Sequence, residues 1–331
     1  MSIRRFTTIV LVGAALLVGV TMLLNWLVDP YARYGTSLVN PLVELPRRDK
    51  YVLLRDSTPP PDIVILGSSR AMYLRPDLIE RLTDKTAFNA GVSRAMPLDY
   101  YVFAHYALDG VSRPPQQIVV CIDLQALHPT VVWNDPSWLS DSPLRDYGES
   151  AAPPFSLEDL LIGLISGRQV DDSLQSIQRN LGSDDLGRPL YDSQGGIIPY
   201  DDVGDPARMP FEDYTYWQSF DHIPPERLDE LSNLFTLVDD HDVKLTVVLL
   251  PFASDALAAM RQIDNFNRQY AALLDFLDAQ QAIHGFALDD WTDPATFGGD
   301  PAGFGDYYHM TQANSDRVVE ALFASDDRVE S

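Results

Sequence analysis

The sequence predicts an α/β domain built as a three-layer parallel sheet flanked by helices, with an N-terminal transmembrane helix and an inserted, irregular to helical cap. Three observations carry this. Short apolar runs alternate with helix signals in a βαβαβ rhythm. An apolar run of roughly 20 residues, the length that crosses a hydrocarbon core, follows Arg4 and Arg5. The rhythm breaks across residues 128–222, which are rich in Pro, Gly, Asp, Ser and Trp, and then resumes.

Taken in order, residues 1–29 read as a cytoplasmic stub and membrane anchor. The arginines favour retention of the start in the cytoplasm, and Trp26 and Tyr31 suit the far interface. A cleaved signal peptide is the rival, but Asn25-Trp26-Leu27-Val28-Asp29-Pro30 offers no small-x-small cleavage site. The reading is a single-pass protein of the cell inner (cytoplasmic) membrane, with everything from about residue 30 outside the cytoplasm. Residues 30–60 form a juxtamembrane segment, where Pro41, Pro46 and Pro59-Pro60-Pro61 oppose a long helix.

The domain proper spans 61–331. Strand 62–66 leads to a helix at 76–83, and the short strand 87–90 to a helix starting near Pro97, a favoured first-turn position. Strand 117–122 ends at Asp123. Within the insertion, helical patterns fall at 156–166 and 169–181, and 182–205 reads as loop. Loops at the carboxyl ends of such strands are where substrates bind, so the insertion is expected to pack there. A helix at 225–240, strand 244–250, one long helix at 254–281, a weak strand at 286–288 and a last amphipathic helix at 312–323 complete the pattern.

Composition narrows the function. Of 331 residues, 46% are apolar, ample for a core, and the net charge is −24, which argues against nucleic acid as a partner. The single cysteine, Cys121, sits in an apolar run and reads as packing. No HExxH, CxxC or paired-His spacing suggests a metal, and Asp289, Asp290 and Asp293 lack calcium-loop spacing. Neither Gly298-Gly299 nor Gly303-x-Gly305 follows a strand as a phosphate loop does, so no cofactor is expected. Trp133, Trp138, Trp217, Tyr214 and Tyr216 could stack on sugar rings or anchor the cap.

Two short stretches carry the chemistry. Gly67-Ser68-Ser69-Arg70 ends the first strand, and Asp306-Tyr307-Tyr308-His309 precedes the last helix. A serine on a sharp strand-to-helix turn is exposed enough to attack a carbonyl, provided a base and an orienting carboxylate are at hand. Ser69 is the candidate nucleophile, with Ser68 beside it, His309 the base and Asp306 the orienter. Backbone N–H groups of Ser69 and Gly91 are the candidate oxyanion donors, and Gly91 has no side chain to block the approach. Taken separately, the serine turn could be an ordinary hydroxyl-capped turn and His309 a structural histidine.

These residues resemble those of the SGNH/GDSL hydrolase superfamily, in particular its membrane-anchored AlgX/AlgJ-like and DltD-like branch. The likeness is specific at Gly67–Arg70, Asn89–Gly91 and Asp306–His309. It implies an SGNH-like fold, Ser69 as nucleophile and Gly91 as the second-block oxyanion glycine. It further implies acyltransferase or esterase chemistry, acetyl transfer above all, on a cell-envelope polysaccharide or exopolysaccharide, with a partner membrane protein delivering the acyl group. One departure stands out: the superfamily's third block supplies an oxyanion asparagine where this chain has Asp123, whose charge would repel an oxyanion. Asn89, Arg70 or Arg94 could serve instead, or Asp123 could pair with Arg70 or Arg94. The alternatives are a non-catalytic envelope assembly or carbohydrate-binding protein that keeps the fold, and a lipase-like esterase.

Overall fold

β1 (Ile63–Leu66) and, after its first residue, β3 (Gln117–Ile122) are apolar without alternation, and every residue in both is buried. Strands of that composition need cover on both faces, which favours a parallel sheet between helical layers. The computed structural model, which describes residues 2–30, 34, 36, 38–39, 46–131, 157–182, 191–197 and 213–323, has that arrangement. Five strands, completed by β2 (Ala87–Asn89), β4 (Lys244–Leu249) and β5 (Ala287–Asp290), pair in the order β2-β1-β3-β4-β5, all parallel. The register is continuous across the centre: Ile65 lies opposite both Asn89 and Val119, and Ile122 opposite Leu249.

The chain divides into two units. The first contains α1 (Ile3–Val28) with α5 (Leu157–Ile165) and α6 (Gly167–Gly182) packed on it. α1 is long and apolar enough to cross a membrane, with a mean hydropathy of 2.4 over its best 18-residue window and none of that window buried.

The second unit holds the sheet. α3 (Pro76–Thr83) and α11 (Gln312–Phe323) pack together as one helical group. α4 (Pro97–His105), α8 (Pro225–Asp240) and α10 (Asp264–His284) pack side by side as another. Because the β1-to-β2 and β2-to-β3 crossovers run in opposite directions along the sheet, right-handedness puts α3 and α4 on opposite faces. α2 (Pro46–Asp56) also belongs to this unit; Lys50, Tyr51 and Leu54 on it are buried.

Several elements depart from the sequence reading. The juxtamembrane segment ends in a helix, because Pro46 opens α2 rather than interrupting it. The sheet unit therefore begins at Pro46, not at residue 61. The long helix expected over 254–281 is two helices, α9 (Ser254–Met260) and α10. Ile263, with extended dihedrals of φ −105° and ψ 115°, breaks the ladder between them. The insertion at 128–222 is not one body. α5 and α6 join α1, whereas residues 191–197 and the short α7 (Tyr214–Gln218) join the sheet unit. Within the segment read as loop, Tyr191 and Ile197 close a small antiparallel bridge, and Gln194 O accepts the Asn89 N–H at 2.9 Å, which covers the edge of β2. Trp133 and Trp138 lie outside the described residues.

Candidate active site

β1 and β3 are neighbours whose connections leave in opposite directions, so a crevice opens at their carboxyl ends. The Gly67–Arg70 turn follows β1, and Asp123 follows β3. The turn is tight: Gly67 O accepts from Val92 N at 3.0 Å, and Ser68 O from Ala71 N at 3.0 Å. A Cβ on Gly67 would lie 2.5 Å from Ala71 Cβ and 3.0 Å from Cys121 Cβ, so only glycine fits here.

The turn separates the two candidate serines. Ser68 is buried; its hydroxyl donates to Asp123 Oδ2 and accepts from Arg70 N at 3.2 Å. Ser69 is half-buried and reaches outward, with its Oγ 2.9 Å from His309 Nε2. Only Ser69 is placed to attack an incoming carbonyl.

His309 is held by its own loop. Thr311 N donates to Gly303 O at 2.9 Å and Gly305 N to His309 O at 2.8 Å, while Phe304 and Met310 form a bridge whose side chains are buried. Asp306 Oδ1 accepts from Tyr308 N at 2.8 Å and from His309 N at 2.7 Å, so the carboxylate fixes the loop locally. Asp306 Oδ2 sits 2.7 Å from His309 Nδ1. A carboxylate at Nδ1 keeps the proton there and turns the Nε2 lone pair to the Ser69 hydroxyl. Partial burial would raise the Asp306 pKa, but hydrogen bonds from the His309 ring and backbone and from Tyr308 outweigh it and bring it down to about 2.

Arg70 ties this loop to two strand ends. Its Nη1 pairs with Asp123 after β3, its Nη2 donates to Pro251 O after β4, and its Nε donates to Tyr308 O at 3.0 Å. The guanidinium lies 4.5 Å from the Phe252 ring centroid, a cation–π contact. Beyond the loop, the Tyr308 hydroxyl donates to Asp213 and accepts from Trp217 Nε1 at 3.3 Å. Burial and the Asp213 carboxylate push the Tyr308 phenol up, so it stays protonated. Trp217 is fully buried among Phe220, Phe252 and Phe266. It anchors the core beneath the His309 loop and has no exposed face for a sugar ring.

The expected oxyanion donors need correction. The Gly91 N–H is already donated to Asn89 Oδ1 at 2.9 Å. Asn89 is fully buried, and its amide donates to Ala71 O and Leu74 O, both at 2.8 Å. Neither group is open to a substrate oxygen. Among the described residues, the Ser69 N–H has no acceptor and is the open donor of the three. Asp123 pairs with Arg70 and not with Arg94, which is exposed.

Sequence reasoning missed Lys50, which is wholly buried and whose Nζ donates to Asn89 O at 2.7 Å and to Gly195 O. Burial lowers its pKa to about 7, against the opposing pull of Asp192. A lone lysine before the first strand gives no sequence signal for this role. The carbonyls of Pro251 and Tyr308 carry none either, since any residue supplies one. Among the described residues, no group of three or more His, Cys, Asp or Glu could hold a metal ion. Asp290 accepts from Thr292 Oγ1 at 2.6 Å, and Asp293 caps the turn at Ala295 N at 2.9 Å. In comparisons with protein-family models and with curated proteins, the chain matches none.

Proposed function

We propose that the protein is a membrane-anchored, SGNH-like serine acyltransferase or esterase acting on sugar esters of an envelope or secreted polysaccharide. The observation that carries this is the relay from Ser69 Oγ through His309 to Asp306, with links of 2.9 and 2.7 Å at the carboxyl end of the sheet. Ser69 Oγ attacks the ester carbonyl while His309 Nε2 takes its proton. The Ser69 N–H faces the developing oxyanion. Collapse expels the alcohol, which takes the proton back from His309 and leaves an acyl-serine. A sugar hydroxyl or water, deprotonated by His309, then takes the acyl group and restores Ser69. A membrane protein is the proposed source of the acyl group.

The anchor is a retained single pass in the cytoplasmic membrane, with the sheet unit outside. Asn25 near the end of α1 supports retention: it is fully buried, and its side chain bonds to Leu164 O at 2.9 Å and to Ser173 Oγ at 3.0 Å. A removable leader has no need of such ties.

The test is full-length protein in detergent, assayed against p-nitrophenyl acetate and a fluorophosphonate probe. Wild type should turn over the ester and take the label, and Ser69→Ala should do neither. A non-catalytic role in polysaccharide binding is the second reading, favoured by the closed Asn89 and Gly91 donors. It is supported if wild type is inert to both reagents yet binds glycan.

A further inference from the structure

We propose that the α5–α6 hairpin is a second membrane contact, in which Leu161, Ile162 and Ile165 enter the headgroup and acyl boundary of the bilayer that α1 crosses. The argument begins with how α1 is covered. Its residues 3–20 are all exposed, and burial begins only in the turns that follow, with Asn25 and Val28 enclosed. At 1.5 Å per residue the exposed stretch is about 27 Å long, close to the thickness of a hydrocarbon core. The boundary of that core therefore falls where the hairpin is attached.

Asn25 sets the level of the hairpin. Its Nδ2 donates at 2.9 Å to Leu164 O, a carbonyl of the last turn of α5, and at 3.2 Å to Ser166 O in the link to α6. Its Oδ1 accepts from Ser173 Oγ on α6 at 3.0 Å. The buried Asn25 side chain thus finds its partners within the hairpin, as a polar group at the edge of a bilayer requires.

The outer face of α5 is then apolar where water would otherwise meet it. Leu161, Ile162 and Ile165 are 45%, 55% and 54% exposed and share one helical face. On α1, Leu23 and Trp26 are also exposed at this end, and tryptophan is enriched at membrane interfaces. With nine residues α5 is about 14 Å long, too short to span, so it lies in the interface. Charge does not draw it there. Glu158, Asp159, Asp171 and Asp172 outnumber Arg168 and Arg179, so attraction to anionic lipid is not the driving force. Continuity with the apolar surface of α1 favours lipid over a protein partner.

The test places single nitroxide labels on the full chain in phosphatidylcholine vesicles, in a Cys121→Ala background. Labelled sites are Ile162→Cys and Ile165→Cys on the hairpin, Val12→Cys in α1 and Ala279→Cys on exposed α10 as the aqueous reference. At 162 and 165, oxygen relative to nickel-chelate accessibility should be several-fold above that at 279 and below that at 12. Adding anionic lipid should leave the ratios unchanged. Hairpin labels that behave like position 279 overturn the proposal, as do labels shielded from both reagents, the signature of a protein partner. An aqueous reading at position 12 overturns it together with the span. Esterase activity enters none of these readouts.

Discussion

Arg70 and Asp123 form an ion pair with side chains no more than 3% exposed, immediately after the candidate nucleophile in sequence and across the β1–β3 crevice in space. On the proposed SGNH-like reading, Asp123 stands where a neutral amide would be expected. Here its charge is balanced by the guanidinium, and the Ser68 hydroxyl donates a hydrogen bond to it. The pair positions the His309 loop, because the same guanidinium holds Tyr308 O next to His309.

Removing one partner should cost far more than removing both. Arg70→Met leaves a buried carboxylate uncompensated and should destabilise the fold by about 3–5 kcal/mol, whereas Arg70→Met with Asp123→Leu should recover much of that loss. Urea unfolding of the single and double variants measures the difference. Equal destabilisation by both would show that the loop carbonyls, not the ion pair, dominate.

Ser69 and His309 should behave as one unit in catalysis. Each alanine variant should lose roughly 10³-fold or more in kcat, and the double variant should lose no more than the worse single one. Burst kinetics with an activated ester provide the readout. Multiplying losses would mean the two groups act in separate steps.

Backbone crowding gives an ordered pair of stability effects. A methyl at Gly67 meets Ala71 Cβ at 2.5 Å, whereas at Gly91 it meets Asn89 Oδ1 at 2.9 Å and Ser68 O at 3.3 Å. Both Gly67→Ala and Gly91→Ala should destabilise, by about 1–3 kcal/mol, with Gly67 the worse. Adding Ala71→Gly should restore part of the Gly67 loss and none of the Gly91 loss. Thermal unfolding of the four variants checks the order.

Asp306 predicts a pH window for stability. Its folded pKa of about 2 lies below the ordinary 3.8, so its contribution is complete above about pH 4 and fades as pH falls towards 2. The stability gap between wild type and Asp306→Asn should therefore be widest near neutrality and narrow below pH 4. Chemical denaturation at pH 6 and pH 3 measures it. A gap that stays constant would mean the carboxylate is not ionised preferentially in the fold.

The centre of the sheet was legible because largely apolar strands of four to six residues punctuated by Pro-initiated helices leave few alternative topologies. β1, β3, α3, α8 and α11 fall where the pattern puts them. The split at Ile263 was not legible, since its apolar side chain suits either a continuing helix or a break. Ser69, His309 and Asp306 stood out because serine turns and Asp-x-x-His loops have recognisable spacing. The closure of Asn89 was hidden, because its partners are the carbonyls of Ala71 and Leu74, and carbonyls have no sequence signature. The separation of the two serines was equally hidden, since adjacent residues of one type differ only in what folding aims them at.

Ser69 and His309 are 240 positions apart. While the chain is being made, the hydroxyl emerges early and stays without a base until the final loop has docked on the finished sheet. Under the proposed mechanism, an unfinished or truncated polypeptide is chemically silent, and arming the serine reports that the whole domain has assembled.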